Sequence, residues 1–383
     1  MILRFCSRLN RLELKEIYLN GRRYTWSNEQ ARATLEKIDH IFATNSWEDL
    51  YPSCFLTALG SAVSDHCPLL LDLHADFSFG KRFKFESFWT KAPGFMQTVQ
   101  EAWQSCPSDG NPFMVLNNKL RITARRLQAW SSKWIGNVRL QIAVALERKN
   151  ALMTLRHNGQ VLTGQEEIAS TVDGFYDRLL GMTSPRDHGL HLDAISMPSR
   201  DLRKLKEPFL EEEILQTIKH MPLDKAPGPD GFTGRFYTTY WSIIKGDIMK
   251  AFTTFYRGDL RGFVAINKAL VTLLPKKDGA DELRDFRPVS LMHGLAKIFD
   301  KVLASRLVLE LPQLVGIHQS AFVKGRALHD NFMLVQSTAR RLHALRQPII
   351  LLKLDILKAF DTVQWSFLIE VLQTMGFGSR WLS

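Results

Sequence analysis

The chain has 383 residues and a formal net charge of +11, because 50 lysines and arginines outnumber 39 aspartates and glutamates. This length is enough for two or three domains with substantial cores, and the 45% of hydrophobic residues is ordinary for a globular protein. The excess positive charge favours polyanions, so nucleic acid or an anionic surface is the first partner class to test.

The four cysteines, Cys6, Cys54, Cys67 and Cys106, are scattered without a C-x-x-C pair or a histidine cluster at zinc-site spacing. They predict neither a disulfide framework nor a zinc site, and they fit a reducing compartment. No apolar run approaches the ~18 residues of a membrane span, and charges interrupt the N-terminal segment where a signal peptide is apolar. We therefore expect an intracellular, non-secreted chain without a membrane partner. Binding of its basic helices to a membrane surface is the alternative.

The first region, 1–75, alternates short apolar runs with turn residues, in "RRYTWSN", "KIDHIFA", "CFLTALG" and "HCPLLLDL". This rhythm predicts strands joined by tight loops. The last run follows Asp65 and His66, and it predicts a buried strand with this polar pair at its mouth.

The second region, 76–205, is predicted to be a basic helical connector. Apolar residues recur at helical spacing from about Pro93 to Arg156. The remainder is turn-rich, with one short helix predicted around "QEEIASTVDGFYDRLLG".

Basic residues are concentrated in 119–149, where eight of them accompany a single acid, Glu147. Such a helix face is either simply solvated or lies along a phosphate backbone. Arg125, Arg126 and Lys133 are the candidates for contacts with nucleic acid.

The third region, 206–383, is regular again. Helices are predicted at "EPFLEEEILQTIKHM", "YTTYWSIIKGDIMKAFTTFYRG", "MHGLAKIFDKVLASRLVLELPQLV", "ALHDNFMLVQSTARRLHAL" and "TVQWSFLIEVLQTMGFG". "KALVTLLPKK" predicts a strand, "LRDFRPVSL" a loop or short strand, and "IILLKLD" a strong strand. "LDKAPGPDGF" carries the prolines and glycines of a stiff turn.

An apolar strand that ends in a carboxylate, as "IILLKLD" does at Asp355, is a common way to hold a hard cation. Two-metal phosphoryl transfer needs further acids from elsewhere in the fold. On spacing alone, the alternative is an acid satisfied by a helix N-terminus. Asp361 fits that alternative best, since it opens the next helix and can cap it.

Five motifs resemble, in their order, the reverse transcriptase of LINE-type (non-LTR) retrotransposons, in particular plant elements. They are "KAPGPDGF" at 225–232, "LLPKKDGADELRDFRPVSLMHGLAKIFDKVLASRL" at 273–307, "HQSAFVKGR" at 318–326, "LHDN" at 328–331 and "LKLDILKAFDTVQW" at 352–365. Because they follow the family's order and cover nearly all of the last 180 or so residues, they are a specific signal.

The resemblance implies roles for residues in two of these motifs. Asp355 would bind the catalytic Mg²⁺ ions, and Phe360 would pack under the deoxyribose and exclude a 2′-hydroxyl, unless it is a core aromatic. Lys276, Lys277 and Arg287 would lie in the fingers, near the incoming triphosphate or the template. Arg287 is preferred because a guanidinium binds phosphate bidentately, whereas the lysines have the alternative of being merely solvated.

The resemblance also implies an RNA template and a DNA primer as partners, and it indicates no obligate protein partner. Gln319 and Arg326 would lie near the template or nucleotide. Arg326 could equally cap the preceding turn.

A second resemblance is to the end of the endonuclease that precedes such reverse transcriptases, a relative of the exonuclease–endonuclease–phosphatase enzymes. Its carriers are "YTWSN" at 24–28, "KIDHIFAT" at 37–44 and "VSDHCPLLL" at 63–71. The resemblance implies that His66 contacts the scissile phosphate and is hydrogen-bonded to Asp39, while Asp65 lies near the metal or nucleophile. A carboxylate that fixes an imidazole tautomer suits this role, and a purely structural Asp-His pair is the alternative.

Both resemblances are incomplete. A whole endonuclease would carry a metal-binding asparagine and glutamate and a "GDFN"-like segment before Met1, and a whole reverse transcriptase a paired-aspartate hairpin after Ser383. We therefore expect an α+β chain made of the last endonuclease β-sandwich strands, the connector, and the fingers with the first palm strand of a truncated right-hand polymerase.

We expect this fragment to bind nucleic acid but not to polymerise or nick alone, since a site with one carboxylate leaves Mg²⁺ largely in water. The alternatives are a non-catalytic RNA- or DNA-binding protein derived from a retroelement, and an unstable relic with open sheet edges. The family's life cycle implies the nucleus or the cytoplasm, although no convincing basic localisation run is present.

Overall fold

The computed structural model of the chain describes residues 2–20, 24–28, 34–51, 54–59, 64–74, 82–134, 155–181, 189, 191–192, 201–277, 280–346, 348, 350, 352–354 and 363–382. Within these ranges the chain combines helices and short strands, so the predicted α+β class is confirmed.

The helices are α1 (Ile2–Arg11), α2 (Asn45–Leu50), α3 (Phe95–Gln104), α4 (Pro112–Trp134), α5 (Gln165–Gly181), α6 (Glu211–Lys219), α7 (Gly234–Thr239), α8 (Trp241–Tyr256), α9 (Gly294–Leu314), α10 (Leu328–Ala344), α11 (Trp365–Thr374) and α12 (Ser379–Leu382). The strands are β1 (Leu14–Glu16), β2 (Leu19–Asn20), β3 (Trp26–Ser27), β4 (Leu35–Glu36), β5 (Phe42–Thr44), β6 (Phe55–Ala58), β7 (Leu69–Asp72), β8 (Leu155–His157), β9 (Gln160–Leu162), β10 (Ala269–Pro275) and β11 (Phe286–Met292).

The chain divides into two compact units, each assembled from segments that are distant in sequence. Unit 1 is formed by Met1–Arg82, Trp130–Phe175 and Val271–Val289. Unit 2 is formed by Phe83–Ala129, Tyr176–Leu270 and Ser290–Ser383. The predicted domain boundaries near residues 75 and 205 stay predictions.

In unit 1, a three-stranded sheet has the order β2-β6-β7, with β2 parallel and β7 antiparallel to β6. Its apolar side chains pack with those of β5 in a small core that contains Leu19, Ala43 and Leu56. The strands predicted in the first region are therefore present. The prediction that the last of them is buried is wrong, because β7 alternates half-buried and exposed residues and Leu70 is 53% exposed.

The hairpin β8–β9 turns at Asn158 and Gly159, whose φ angles are 50° and 81°. Positive φ at both positions is the backbone of a type I′ turn, for which Asn-Gly is the preferred pair. The prediction of helix as far as Arg156 is therefore wrong at its end. By contrast, the helix predicted around "QEEIASTVDGFYDRLLG" is confirmed, because α5 covers these 17 residues.

In unit 2, aromatic side chains join the connector helices to the helices that follow. Phe252 of α8 stacks on Phe299 of α9 with ring centroids 4.0 Å apart. Phe113 of α4 contacts the same Phe299 ring at 6.1 Å. The helix predicted around "YTTYWSII" is divided at Tyr240 into α7 and α8.

Strands β10 and β11 form a two-stranded hairpin. Backbone hydrogen bonds at its two ends, from Lys276 N–H to Asp285 C=O at 2.8 Å and from His293 N–H to Lys268 C=O at 2.9 Å, align the strands in opposite directions. The strand predicted at "KALVTLLPKK" is thus confirmed, and "LRDFRPVSL" resolves as a strand.

The strand predicted at "IILLKLD" is not formed at its described residues 352–354. Leu352 and Leu354 are 74% and 79% exposed there. A strand needs a hydrogen-bonded neighbour, and among the described residues no strand pairs with this segment. The apolar run alone was therefore an insufficient signal.

Candidate phosphate-contacting and nucleic-acid-binding sites

The segment with Asp65 and His66 is held beside β3 by backbone pairing. Trp26 and His66 form an antiparallel bridge, and Ser27 N–H donates to Asp65 C=O at 3.0 Å. Residues that are nearly 40 positions apart are thereby brought together, as the bond of Trp26 Nε1 to Asp65 Oδ2 at 2.8 Å illustrates. This pairing fixes where both predicted side chains emerge.

His66 and Asp39 form the contact that the resemblance implies. His66 Nδ1 lies 3.0 Å from Asp39 Oδ2, and the two side chains are 45% and 36% exposed. The hydrogen bond from His66 lowers the pKa of the Asp39 carboxyl, and a second bond from Thr25 lowers it further. Thr25 Oγ1 also accepts the backbone N–H of Asp39 at 3.0 Å. Both the backbone and the carboxylate of Asp39 are therefore held by hydrogen bonds. The arrangement orients an accessible imidazole, which is the geometry for contacting a phosphate.

The roles of Asp39, Asp65 and His66 in cleavage stay predictions. Among the residues that the structure describes, no three histidine, cysteine or acidic side chains lie close enough together to hold a metal ion. The acids of this patch therefore do not make a divalent-metal site by themselves.

The described residues between β10 and β11 are 276–277 and 280–285. They are called the fingertip segment below because the resemblance assigns this part of the chain to the fingers. Lys276 Nζ donates to the carbonyl of Arg284 at 2.7 Å, and Lys277 forms an ion pair with Asp285 at 3.0 Å. Arg287 is exposed on β11, and its guanidinium has no hydrogen bond or ion pair to another described residue. Of the three predicted phosphate-contacting residues, Arg287 is thus the one whose donors are not engaged by the hairpin itself.

Arg326 caps the end of α9. Its two terminal nitrogens donate to the carbonyls of Pro312, Val315, Gly316 and Gln319 at 2.5–3.0 Å. These are carbonyls at and beyond the last turn of a helix, where a cation is favourable. The capping alternative is therefore confirmed. A nucleic-acid contact by Arg326 or Gln319 stays a prediction.

Helix α4 exposes part of the predicted basic face. Arg121, Arg125 and Arg126 are exposed, and Lys133 lies in the last turn with its side chain outside the described part. Lys119, which the sequence groups with them, is buried: its Nζ pairs with Asp247 at 2.8 Å and donates to Ser108 at 2.9 Å. One member of the basic cluster is therefore structural.

The sequence assigned no contact to Asp230 of "KAPGPDGF". In the structure its Oδ1 accepts the N–H of Gly294 at 3.0 Å and its Oδ2 accepts the Tyr237 hydroxyl at 2.8 Å. Burial, together with this carboxylate, raises the pKa of Tyr237 well above its ordinary value. Gly294 is required, since a Cβ there would lie 2.5 Å from Tyr237 Oη. The detectable signal was an acid within a glycine-rich turn.

Asp355, Phe360 and Asp361 lie outside the described residues. The predicted roles of Asp355 and Phe360 are therefore carried by the sequence resemblance. Mg²⁺ binding by Asp355 stays an expectation of the family.

Residues 274–383 match the family model for reverse transcriptase (RNA-dependent DNA polymerase). The chain is 30% identical over 239 residues to the transposon TX1 uncharacterized 149 kDa protein of Xenopus laevis, covering 61% of this chain and 18% of that protein. It is 24% identical over 225 residues to the Pol polyprotein of retrotransposable element R1 of Bradysia coprophila, covering 56% and 21%. The Pol polyprotein of element R2DM of Drosophila melanogaster is 26% identical over 195 residues, with 51% and 18% covered.

The chain thus spans about a fifth of the length of these relatives. The matched family segment begins in β10 and includes the fingertip segment, Arg287, Gln319, Arg326 and Asp355.

Proposed function

We propose that the chain is the section of a non-LTR retrotransposon polyprotein in which the end of an endonuclease adjoins the fingers and early palm of the polymerase. The match of residues 274–383 to the reverse transcriptase family model and the similarity to polyproteins of retrotransposable elements support this proposal. The chain's biochemical activity as a 383-residue polypeptide is to bind RNA or a template–primer duplex. The sequence motifs favour a plant-like element.

The observation that carries nucleic-acid binding is the exposed arginine face of α4. Arg121 and Arg125 are one helical turn apart and Arg126 adjoins them, so three guanidinium groups emerge from adjacent turns. The net charge of +11 adds a long-range attraction for polyanions. Each arginine that contacts a phosphate releases condensed counterions, which makes binding weaken with salt.

A salt titration tests the proposal. Fluorescence anisotropy of a labelled single-stranded RNA is measured with the full chain between about 50 and 200 mM NaCl, where log K falls by about 0.7 per log unit of salt for each phosphate contact. The variant Arg125→Ala/Arg126→Ala should reduce this slope by about 1.4, the sum for two contacts.

The matched control is Arg203→Ala/Arg261→Ala. These arginines are exposed, each pairs with an aspartate two residues before it, and their removal changes the net charge equally. Equal slopes for the two double variants would refute the assignment of the phosphate contacts to α4, and salt-independent binding would refute the electrostatic mechanism.

The bond between His66 and Asp39 favours a second function for 1–75, namely phosphodiester binding by the end of the endonuclease. A dinucleotide titrated into the chain should shift the imidazole NMR signal of His66 but not that of His74, which packs against Tyr51. Equal shifts for both histidines would show nonspecific binding and contradict this function.

Asp355 is the carboxylate that the resemblance assigns to a metal site, and such a site needs several anionic oxygens. Reverse transcriptases use divalent ions such as Mg²⁺, and Asp355 would be one of the ligands of these ions.

No helix in the described ranges is long and apolar enough to cross a bilayer. A nuclear or cytoplasmic location is proposed from the family.

A further inference from the structure

The hairpin β8–β9 lies against the fingertip segment. Arg156 N–H donates to the carbonyl of Asp281 at 2.6 Å, and Arg156 forms a parallel bridge with Glu282. The Arg156 guanidinium also pairs with the Asp281 carboxylate at 3.0 Å. The backbone and the side chain of Arg156 therefore both bind Asp281, which lies more than 100 positions further along the chain.

Asp281 and Glu282, which contact Arg156, are followed in the chain by Arg284 and Asp285, which bind the two fingertip lysines. Lys276 N–H donates to Asp285 C=O at 2.8 Å, and its ammonium donates to Arg284 C=O at 2.7 Å. Lys277 pairs with the Asp285 carboxylate at 3.0 Å. Asp285 N–H in turn donates to Glu282 C=O at 2.8 Å. A displacement of 281–282 is thereby transmitted to both lysines through short bonds.

We propose that Arg156 is a positioning residue for the fingertip segment: its bridge to Glu282 and its bonds to Asp281 set the place at which Lys276 and Lys277 meet phosphate. The inference rests on the proposed polymerase origin and on the role that the resemblance implies for these lysines, which is contact with a triphosphate or template. According to this inference, the hairpin β8–β9 contributes to the nucleotide or template site of the polymerase, although it lies before residues 274–383, the segment matched to the family.

The backbone bridge and the ion pair have different tasks. An ion pair at 44% and 36% side-chain exposure is too weak to hold a segment alone, because solvent screens it. The backbone bond supplies the attachment, and the ion pair selects the register, since a shift by one residue would face Arg156 toward the opposite side. Reversing the charge of Arg156 would set two carboxylates against each other at this point and disfavour the register.

Hydrogen exchange of the full chain tests the attachment. In Arg156→Asp, amides of 281–286 should exchange about threefold faster or more, and in Arg156→Asp/Asp281→Arg the protection should return. Arg156→Lys should retain most of it. Arg203→Asp has the same charge change in an exposed local pair and should leave these amides unchanged. Unchanged exchange in Arg156→Asp, or failure of the double variant to restore protection while Arg156→Asp remains folded, would overturn the proposal.

A second readout separates positioning from simple stabilisation. Pyridoxal 5′-phosphate forms an imine with lysines in phosphate-binding sites, and after borohydride reduction the labelled peptide is identified by mass spectrometry. Labelling of Lys276 and Lys277 should fall about threefold in Arg156→Asp relative to labelling of the other lysines, and recover in the double variant. If the exchange result is as expected but the wild-type chain shows no selective labelling, the lysines do not contact the triphosphate, whereas the attachment of residues 281–282 by Arg156 is supported. If labelling is selective but insensitive to Arg156, the positioning role fails.

Discussion

Asp230 accepts the backbone N–H of Gly294 at 3.0 Å, so the carboxylate of a glycine-rich turn closes the start of α9. The N-terminal N–H groups of a helix lack partners within the helix, and their partial positive charge favours an anion. Gly228, two residues before Asp230, leaves no room for a Cβ, which would lie 2.0 Å from the carbonyl of Met292. Two motifs that are separate in the sequence thus form one tight junction.

We expect Asp230→Ala to lower the free energy of unfolding by about 1–3 kcal/mol, since it leaves a helix N–H and the Tyr237 hydroxyl without an acceptor. Tyr237→Phe, which removes one of the two bonds, should cost less. Urea unfolding followed by circular dichroism measures both. Asp224→Ala is the control, because among the described residues Asp224 pairs with Arg235 alone, at the exposed end of the same turn. An equal loss in the control would argue against the junction.

His293 should make the stability of the chain depend on pH. Its Nδ1 accepts the N–H of Leu295 at 3.2 Å, and burial lowers its pKa; Asp230 opposes this effect, whereas Lys268 and Lys297 add to it. The unfolded chain therefore binds the proton more tightly than the folded chain. The free energy of unfolding is unaffected by His293 above its ordinary value of 6.5 and falls as the pH decreases below it.

The test is urea unfolding of the wild type and of His293→Asn at several pH values from about 5 to 8. Asparagine can accept the Leu295 N–H but does not titrate, so this variant should lose part of the decrease at low pH. A decrease of the same size in both proteins would exclude His293 as its source.

Lys119 and Asp247 should be strongly coupled in stability. The pair is 5% and 12% exposed, and Asp247 also accepts the indole N–H of Trp103 at 2.8 Å. Removing either partner leaves a buried charge, so Lys119→Met or Asp247→Leu should each cost about 3–5 kcal/mol. The double variant should cost much less than the sum, and additive losses in the cycle would contradict the pairing.

The His66 bond should be visible in the titration of Asp39. We expect His66→Ala to raise the pKa of Asp39 toward its ordinary value of 3.8, as measured by carboxyl ¹³C NMR. Because the folded-state pKa is lowered, the pair stabilises the chain above the unfolded value and loses this effect as the pH falls. The stabilisation is small, since both side chains are more than a third exposed. An unchanged Asp39 titration in the variant would contradict the contact.

Local patterns predicted most helices and the short strands of residues 1–75, and they left the cap formed by Arg326 as an alternative. The His66–Asp39 contact followed from a resemblance, because periodicity cannot join residues 27 positions apart. Asn-Gly at 158–159 was a hairpin signal that the surrounding helical pattern obscured.

Lys119 and Leu352 illustrate two properties that local sequence patterns cannot predict, namely the burial of a charged side chain and the pairing of a strand. Lys119 looks like its exposed basic neighbours, and its burial depends on Asp247, 128 positions away. Leu352 belongs to an apolar run of strand composition, but the formation of a strand depends on a paired neighbour rather than on the run itself. Both outcomes are set by tertiary contacts.

The central claim, that the chain binds a primed RNA template, is tested most directly by an anisotropy measurement. A labelled DNA primer annealed to an RNA template is titrated with the chain at about 50 and about 200 mM NaCl. We predict that the primer is bound and that its affinity falls as the salt concentration rises. The absence of binding, or binding that is equally tight at both salt concentrations, would contradict the account.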